Sequence, residues 1–303
     1  MTLTIKDGDA PPIHKNIFVC IYGEPGNKKT SFALTAEEPL LLDFDQRGHR
    51  AFNSNKTKRI DVTSFDDIEE AVAKFSKQFK TIIIDTAGRA IDNKSKEIIA
   101  LSKKSPNMKA HNPFGGLSLP GYGILKNAFY NAVGSIRDSG MHCVFVCHGK
   151  RTKEGEITSW EPDVAGSSSE EIYKVCDLMG LISPFNGRTV IRLNPSENWS
   201  AKNPLGLSTV TIDRKDEPGW EVTLKDLMDK CIVAVNKTNT PIEPPEIVKL
   251  IEKCDNVEYA NRLLGSIKEM DDGIAKDMAT AAFKAMRIKN KFEYSAEKGV
   301  YQK

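Results

Sequence analysis

Ile17-Phe-Val-Cys-Ile-Tyr-Gly23-Glu-Pro-Gly-Asn-Lys-Lys-Thr30 is the stretch that decides how the rest of the chain is read. Residues 17–22 form an unbroken apolar, β-branched run, the composition of a strand buried on both faces as parallel sheets require. A glycine-containing turn follows, and then a short helix is expected from about Lys29 to Ala36. The octet Gly23-Glu24-Pro25-Gly26-Asn27-Lys28-Lys29-Thr30 fits the phosphate-binding pattern G-x-x-x-x-G-K-[S/T], except that Lys28 replaces its last glycine. The chemistry of the pattern is a curl of backbone N–H groups around a phosphate, at a helix N-terminus whose dipole favours anions. Lys29 is expected to reach the β- and γ-phosphates of ATP. Thr30 is expected to coordinate Mg²⁺, and Ser31 closes the nucleotide-contacting stretch. If position 28 needs a positive φ, a lysine there costs roughly 1–2 kcal/mol, partly offset by attraction to phosphate.

Working outward, Pro39-Leu-Leu-Leu-Asp43 and Thr81-Ile-Ile-Ile-Asp85 read as further buried strands, and Arg59-Ile-Asp-Val62 as a weaker one. Ile82 to Asp85 has the form of a Walker B strand: apolar residues running into a carboxylate at the sheet edge. Asp85 is thus the candidate to hold the Mg²⁺ shell beside Thr30. In Leu41-Leu-Asp-Phe-Asp45, residues 43 and 45 point to the same face of an extended chain. His142-Cys-Val-Phe-Val-Cys147 is a fifth strand, ending at His148. Alternation puts His142 and His148 opposite Cys143 and Cys147, which argues against one zinc site.

Between the strands, Thr63 to Phe79 is expected to be an amphipathic helix, opened by a capping box of Ser64 and Asp67. Tyr122 to Asp138 is expected to be another. Asp92 to Pro120 is polar and lysine-rich; its first part can be helical, and Ser105 to Gly123 reads as a long loop. After His148 come a hairpin (Lys150 to Trp160), a Gly/Ser stretch (Gly166 to Ser169), and a second hairpin. In that one, Asp177–Ser183 and Arg188–Leu193 flank the turn residues Asn186-Gly187. Strands alternating with helices argue for a mostly parallel α/β sheet covered on both faces.

The chain of 303 residues has net charge +2, with 40% hydrophobic and 28% charged residues. That balance excludes a disordered chain and is too neutral to name a partner. No apolar run approaches the roughly 18 residues of a membrane helix, and Met1 to Pro12 has no signal-peptide core. The expectation is a cytoplasmic protein with no membrane partner. The six cysteines form no CxxC pair and read as reduced core thiols. Four segments are expected: a lead-in (1–16), an ATPase core (17–237), a proline-rich linker (238–245) and a small C-terminal helical domain (246–303). Glu246–Cys254, Val257–Met270 and Gly273–Ile288 are its expected helices.

Taken in order, GEPGNKKT, LLDFDQRGHRA, TIIIDT, GYGILKNAFY and VFVCHGK make the chain resemble the phage-type RecA-like P-loop ATPases of single-strand annealing and recombination. The resemblance covers roughly residues 15–215. It implies that the strand before His148 lies between the P-loop and Walker B strands. It implies a catalytic acid at Asp45, where the family typically has Glu, with Asp43 as the alternative. It implies that His148 senses the γ-phosphate. Beyond the site it implies ATP-dependent action on single-stranded DNA as a homo-oligomer in a host cytoplasm, with a single-stranded-DNA-binding protein as partner.

RecA-like sites are usually completed by a cation from a neighbouring subunit. Arg151, Arg188, Arg192 and Lys202 are the candidates, with Lys202 preferred. Lys103, Lys104, Lys109, Lys150, Arg151 and Lys153, with Phe114, Tyr122 and Trp160, are the residues available for DNA. The cationic end of the chain, Lys284 to Tyr294, suits either a DNA contact or a helix terminus. Two other readings stay open: a nucleotide-switched assembly or helicase-loader module with little hydrolysis, and a small-molecule kinase.

Overall fold

The computed structural model describes residues 15–51, 56–154, 157–165, 168–212, 214, 216–238, 246–270, 274–295 and 300–302. They divide into two compact units, one ending at Asn236 and the other beginning at Lys237.

The first unit is built on a nine-stranded sheet. Its strands are β1 (Phe18–Gly23), β2 (Pro39–Asp43), β3 (Lys58–Asp61), β4 (Thr81–Asp85), β5 (His142–Glu154), β6 (Ile157–Pro162), β7 (Leu178–Phe185), β8 (Arg188–Arg192) and β9 (Val210–Ile212). Their order is β3-β2-β4-β5-β1-β7-β8-β9, with β6 paired to the far end of β5. From β3 to β7 all pairings are parallel; β8, β9 and β6 join antiparallel. β5 thus lies between the P-loop strand β1 and the Walker B strand β4, as the RecA-like resemblance implies.

The helices of this unit are α1 (Lys29–Ala33), α2 (Asp67–Phe75), α3 (Ala87–Lys104), α4 (Leu119–Ser139), α5 (Ser168–Val175) and α6 (Thr223–Thr238). The sheet is apolar on both faces because alternate residues serve different layers. Phe18, Cys20, Tyr22, Ile82, Ile84, Cys143 and Phe145 pack with α2, α3, α4 and α5. Val19, Ile21, Leu41, Ile83, Val144 and Val146 pack with Phe32 of α1 and with Leu224, Leu227, Met228 and Cys231 of α6. All six cysteines are buried free thiols.

Several expected boundaries move. α1 stops at Ala33 rather than Ala36, and α2 begins at Asp67 rather than Thr63. There the Asp67 carboxylate accepts N–H bonds from Thr63 (3.0 Å) and Ser64 (2.9 Å), so it holds these residues in a turn ahead of the helix. The loop expected over 105–123 is shorter: Leu119-Pro120-Gly121 is the first turn of α4, capped by Ser118, because a proline's fixed φ suits a first helical turn. Strand β5 continues beyond Cys147 to Glu154, since pairing with β6 extends it past the sheet edge. The Asn186-Gly187 turn has both residues at positive φ (48° and 74°), the geometry that joins β7 to β8 tightly.

The second unit comprises α7 (Glu246–Glu252), α8 (Val257–Glu269), α9 (Ile274–Lys289) and a hairpin of β10 (Glu293–Ser295) and β11 (Val300–Gln302). Val248, Ile251, Ala260, Leu263, Ile267, Ala279, Phe283 and Met286 form its own core. The hairpin, which sequence patterning does not reveal, is tied to α8 by Asn261, whose side chain bonds both the N–H and C=O of Tyr301 (2.8 and 3.0 Å). Of the expected linker, Thr238 ends α6 and residues 239–245 lie outside the described residues, as do residues 1–14 of the lead-in and 166–167 of the Gly/Ser stretch.

Because each unit has its own core, a chain ending at Thr238 is expected to unfold in one cooperative transition and to keep its ATP affinity within about twofold. Thermal melting and nucleotide titration check this. Aggregation of the shortened chain would show that the two cores depend on each other.

Candidate nucleotide site

The carboxyl ends of β1, β2, β4 and β5 lie side by side, with Gly23 in register with His148 and Asp43 with Asp85. In open α/β sheets this edge is where ligands bind. A cavity of about 510 Å³ opens there, lined by P-loop residues Pro25, Gly26 and Lys28–Ser31 together with Asp45, Asp85 and His148. The structure therefore brings the expected nucleotide, metal and catalytic residues to one place.

The P-loop backbone requires its special residues. A side chain at Gly23 would put its Cβ 2.4 Å from the Ile182 carbonyl oxygen, so only glycine lets β1 pass β7 there. Gly26 has φ 87°. Lys28, which replaces the pattern's glycine, sits in the left-handed region at φ 57°, ψ 24°. The strain anticipated for that position is therefore present. Two substitutions separate backbone from charge. Lys28→Gly is expected to raise stability by up to about 1 kcal/mol through relief of the left-handed conformation. Lys28→Ala keeps that conformation, so its melting temperature should match the parent's while its ATP affinity falls. Equal affinities for the parent and both variants would deny Lys28 any phosphate role.

Lys29 is only 6% exposed. Its Nζ donates to the carbonyls of Gly23 (2.9 Å) and Glu24 (2.8 Å), which aims the ammonium into the loop. Burial holds its pKa below the ordinary lysine value, and the Asp85 carboxylate opposes that shift. The Thr30 hydroxyl donates to Asp85 Oδ2 at 2.7 Å. Asp85 itself is pushed up to about 6, by burial first and then against the Thr30 hydrogen bond, with Asp45 and Asp43 adding repulsion. A buried carboxylate that resists its own charge, beside a hydroxyl oxygen, is a donor pair suited to a hard divalent cation such as Mg²⁺.

That cost has a consequence for the nucleotide-free chain. An aspartate raised in the folded state favours folding only while protonated. Its contribution is full below the unfolded pKa near 4 and is lost as pH rises through about 6. Asp85→Asn carries no such loss. It is expected to stabilise the nucleotide-free protein by up to about 3 kcal/mol at pH 7–8 and by almost nothing near pH 4. Melting curves across that range test it; a gain that does not shrink in acid would count against the burial argument.

Asp43 and Asp45 differ sharply in environment. Asp43 is fully buried, and its carboxylate accepts the N–H groups of Arg47 (3.2 Å) and Gly48 (2.6 Å), holding the turn after β2. Asp45 stands at the cavity and reaches His148 Nε2 at 3.8 Å, Arg89 Nε at 3.6 Å and Thr86 Oγ1 at 3.5 Å. The first two are ion-pair separations, and the Thr86 hydroxyl donates a long hydrogen bond to Asp45 Oδ1. The His148 imidazole is the main influence holding the Asp45 carboxyl below the usual range, with Arg89 and Thr86 assisting. A second cavity of about 320 Å³ adjoins, lined by Asp45, Arg47, Thr86, Arg89, His148 and Asp163.

Sequence reasoning does not find Arg89 and Thr86. Thr86 caps α3, which starts immediately after Asp85, and this brings Arg89 one turn later back over the site. A capping threonine straight after the Walker B strand is the signal that could have found them. The four cations considered for completing a neighbour's site are all engaged within the chain. Arg188 is held by both Glu217 oxygens (2.6 and 2.9 Å), and Arg151 reaches Glu24 (3.1 Å). Lys202 donates to the carbonyls of Tyr173 (2.9 Å) and Lys174 (3.4 Å), and Arg192 Nε donates to Ser183 (2.9 Å). His142, at the start of β5, accepts the Ile17 N–H (3.1 Å), and no metal-ligand cluster occurs among the described residues.

A family described as an AAA domain matches residues 15–205, the segment that carries this site. The chain belongs to that family. Residues 15–205 are accordingly an AAA domain, a P-loop ATPase fold built on a mostly parallel sheet. Solved structures similar to it include the KaiC-like protein PH0186 from the archaeon Pyrococcus horikoshii OT3, at 12% identity over 58% of this chain and 76% of that one, TM-score 0.32. The RadB recombinase is similar at 13% identity over 58% and 79%, TM-score 0.31. A further solved ATPase domain is similar at 10% identity over 65% and 81%, TM-score 0.37. These likenesses are distant. No curated protein matches the sequence significantly. Among the described residues, no helix is long and apolar enough to cross a membrane.

Proposed function

We propose that this AAA-domain chain binds and hydrolyses ATP with Mg²⁺ and acts on single-stranded DNA as a homo-oligomer, in annealing, recombination or replication of the phage type. The observation that carries the reading is the meeting of Lys29, the Thr30–Asp85 pair and the Asp45–His148 pair around one cavity.

In this reading residues Gly23 to Ser31 hold the phosphates. Lys29 exchanges its two carbonyl partners for phosphate oxygens, and Thr30 and Asp85 hold Mg²⁺, which when bound neutralises phosphate charge. Asp45, kept ionised by His148 and Arg89, accepts the proton of the attacking water. His148 ties that base to β5 and hence to the hairpin of β5 and β6, where Lys150 and Arg151 would leave Glu161 and Glu24 for DNA phosphates and Lys153 would join them. A cation supplied by a neighbouring copy and a single-stranded-DNA-binding protein complete the proposed assembly.

The test is ATP turnover with and without single-stranded DNA. Stimulated turnover supports the proposal. Tight binding without turnover would replace it with a nucleotide-switched assembly module. Phosphate transfer to a metabolite would replace it with a kinase.

A further inference from the structure

Away from the nucleotide, one strip of surface alternates aromatic rings with guanidinium groups. It is built by the β7–β8 hairpin, the segment 193–202 and the β5–β6 hairpin. Arg192, the last residue of β8, places its guanidinium carbon 5.0 Å from the Phe185 ring centre and 4.8 Å from that of Trp199. Its Nε–H···Oγ bond to Ser183 (2.9 Å) fixes the plane of the group. Arg188 on the same strand is clamped by Glu217, whereas Arg192 has no carboxylate partner among the described residues.

Trp199 is in parallel register with Trp160, whose N–H donates to Asn198 (2.8 Å) and whose carbonyl accepts from Ser200 (2.9 Å). Across the β5–β6 ladder from Trp160, Arg151 sits 4.7 Å from its ring centre. Beside Trp199 a groove of about 430 Å³ is walled by Tyr173, Met179 and Pro195. Two carboxylates on this groove, Glu161 and Glu170, are met by Lys150 (3.8 Å) and Lys174 (3.9 Å).

Packing accounts for part of this order, since Trp160 and Trp199 are half-buried against the core beneath them, but not for Phe185. Phe185 is 51% exposed, so its ring contributes little to the core. Partly exposed flat rings, interleaved with fixed guanidinium groups, suit a ligand that alternates flat apolar faces with anions. Single-stranded nucleic acid is such a ligand; a duplex hides its base faces in its own stack. We infer that Phe185, Arg192 and Trp199 form a base-stacking and phosphate-binding site for single-stranded DNA, continued through Trp160 to Arg151. The inference rests on the reading that the chain acts on single-stranded DNA, and it adds where the strand lies. Arg151 also meets Glu24 of the P-loop at 3.1 Å, so one end of the strip touches the nucleotide loop.

The experiment is fluorescence anisotropy of labelled oligo(dT) of about thirty nucleotides, long enough for several binding sites, with the full chain. Phe185→Ala and Trp199→Ala are each expected to weaken binding about tenfold. Trp199→Phe, which keeps a ring and the local packing, should retain most of the affinity. Arg192→Gln should flatten the dependence of log affinity on log salt by about 0.7. Phe185→Ala should bind a fluorescent ATP analogue as the parent does. If the parent chain binds oligo(dT) and these variants bind it equally well, the site is refuted while DNA action stands. Binding of duplex as tight as that of single strand would refute stacking. No oligo(dT) binding by the parent, with or without ATP, would overturn both the site and the DNA reading.

Discussion

Lys29→Ala is expected to weaken ATP binding by at least about a hundredfold and to leave the nucleotide-free fold intact. The ammonium is buried and donates only to two P-loop carbonyls, so in the nucleotide-free chain it contributes no core packing. Burial already depresses its pKa, which means that its charge is held there at a cost. That cost is repaid only when phosphate oxygens arrive. A charge-assisted hydrogen bond contributes about 1.5–3 kcal/mol, so losing one or two of them to phosphate accounts for the hundredfold. Isothermal titration with Mg-ATP gives the affinity, and a thermal melt gives the fold. The melting temperature should stay within a few degrees of the parent's, because the freed carbonyls lie beside a cavity that water can enter. Parental ATP affinity in this variant would remove the P-loop assignment, and with it the proposed function.

Asp45→Asn should lower turnover by about 10²–10⁴-fold, the range of a positioned general base, while nucleotide affinity changes by no more than about twofold. The proposed role of Asp45 exists only in the transition state, so kcat and kcat/KM should fall together. Asp43→Asn should do the reverse. Its carboxylate caps two backbone N–H groups in a fully buried position, with Arg59 3.8 Å away. Replacing one oxygen by an NH₂ group sets a donor against a donor and costs about 1–3 kcal/mol of stability. Single-turnover hydrolysis, nucleotide titration and melting of both variants separate the two roles. A large loss of turnover with normal stability in Asp43→Asn, and none in Asp45→Asn, would move the base to Asp43.

The choice between those two aspartates shows where sequence reading stops. Both stand on one face of an extended segment, and spacing cannot rank them. The turn after β2 gives them different surroundings: it bends back so that its own N–H groups consume the Asp43 carboxylate, while Asp45 is carried out to His148 and Arg89. Arg89 is invisible in the sequence for a similar reason. Composition marks residue 92 as the start of a polar stretch, whereas a helix begins at Ala87 because Thr86 caps it. α6 escapes sequence reading too, although Leu224, Leu227, Met228 and Cys231 recur at helical spacing; its apolar face is legible once the sheet face it covers is known.

By itself, the sequence determined the parallel α/β core, the P-loop and the Walker B strand. These depend on local rules: continuous apolar runs for doubly covered strands, and a fixed spacing of residues around a phosphate. It also marked Lys28 as the position strained wherever the loop demands a positive φ. Only the tertiary structure decided which carboxylate the turn's own N–H groups consume and which cations are already paired. It alone brought Phe185, Arg192 and Trp199, from three separate segments, into one row. Those facts depend on contacts between residues far apart in the chain, where the free energy of a side chain is set by its neighbours and not by its own sequence surroundings.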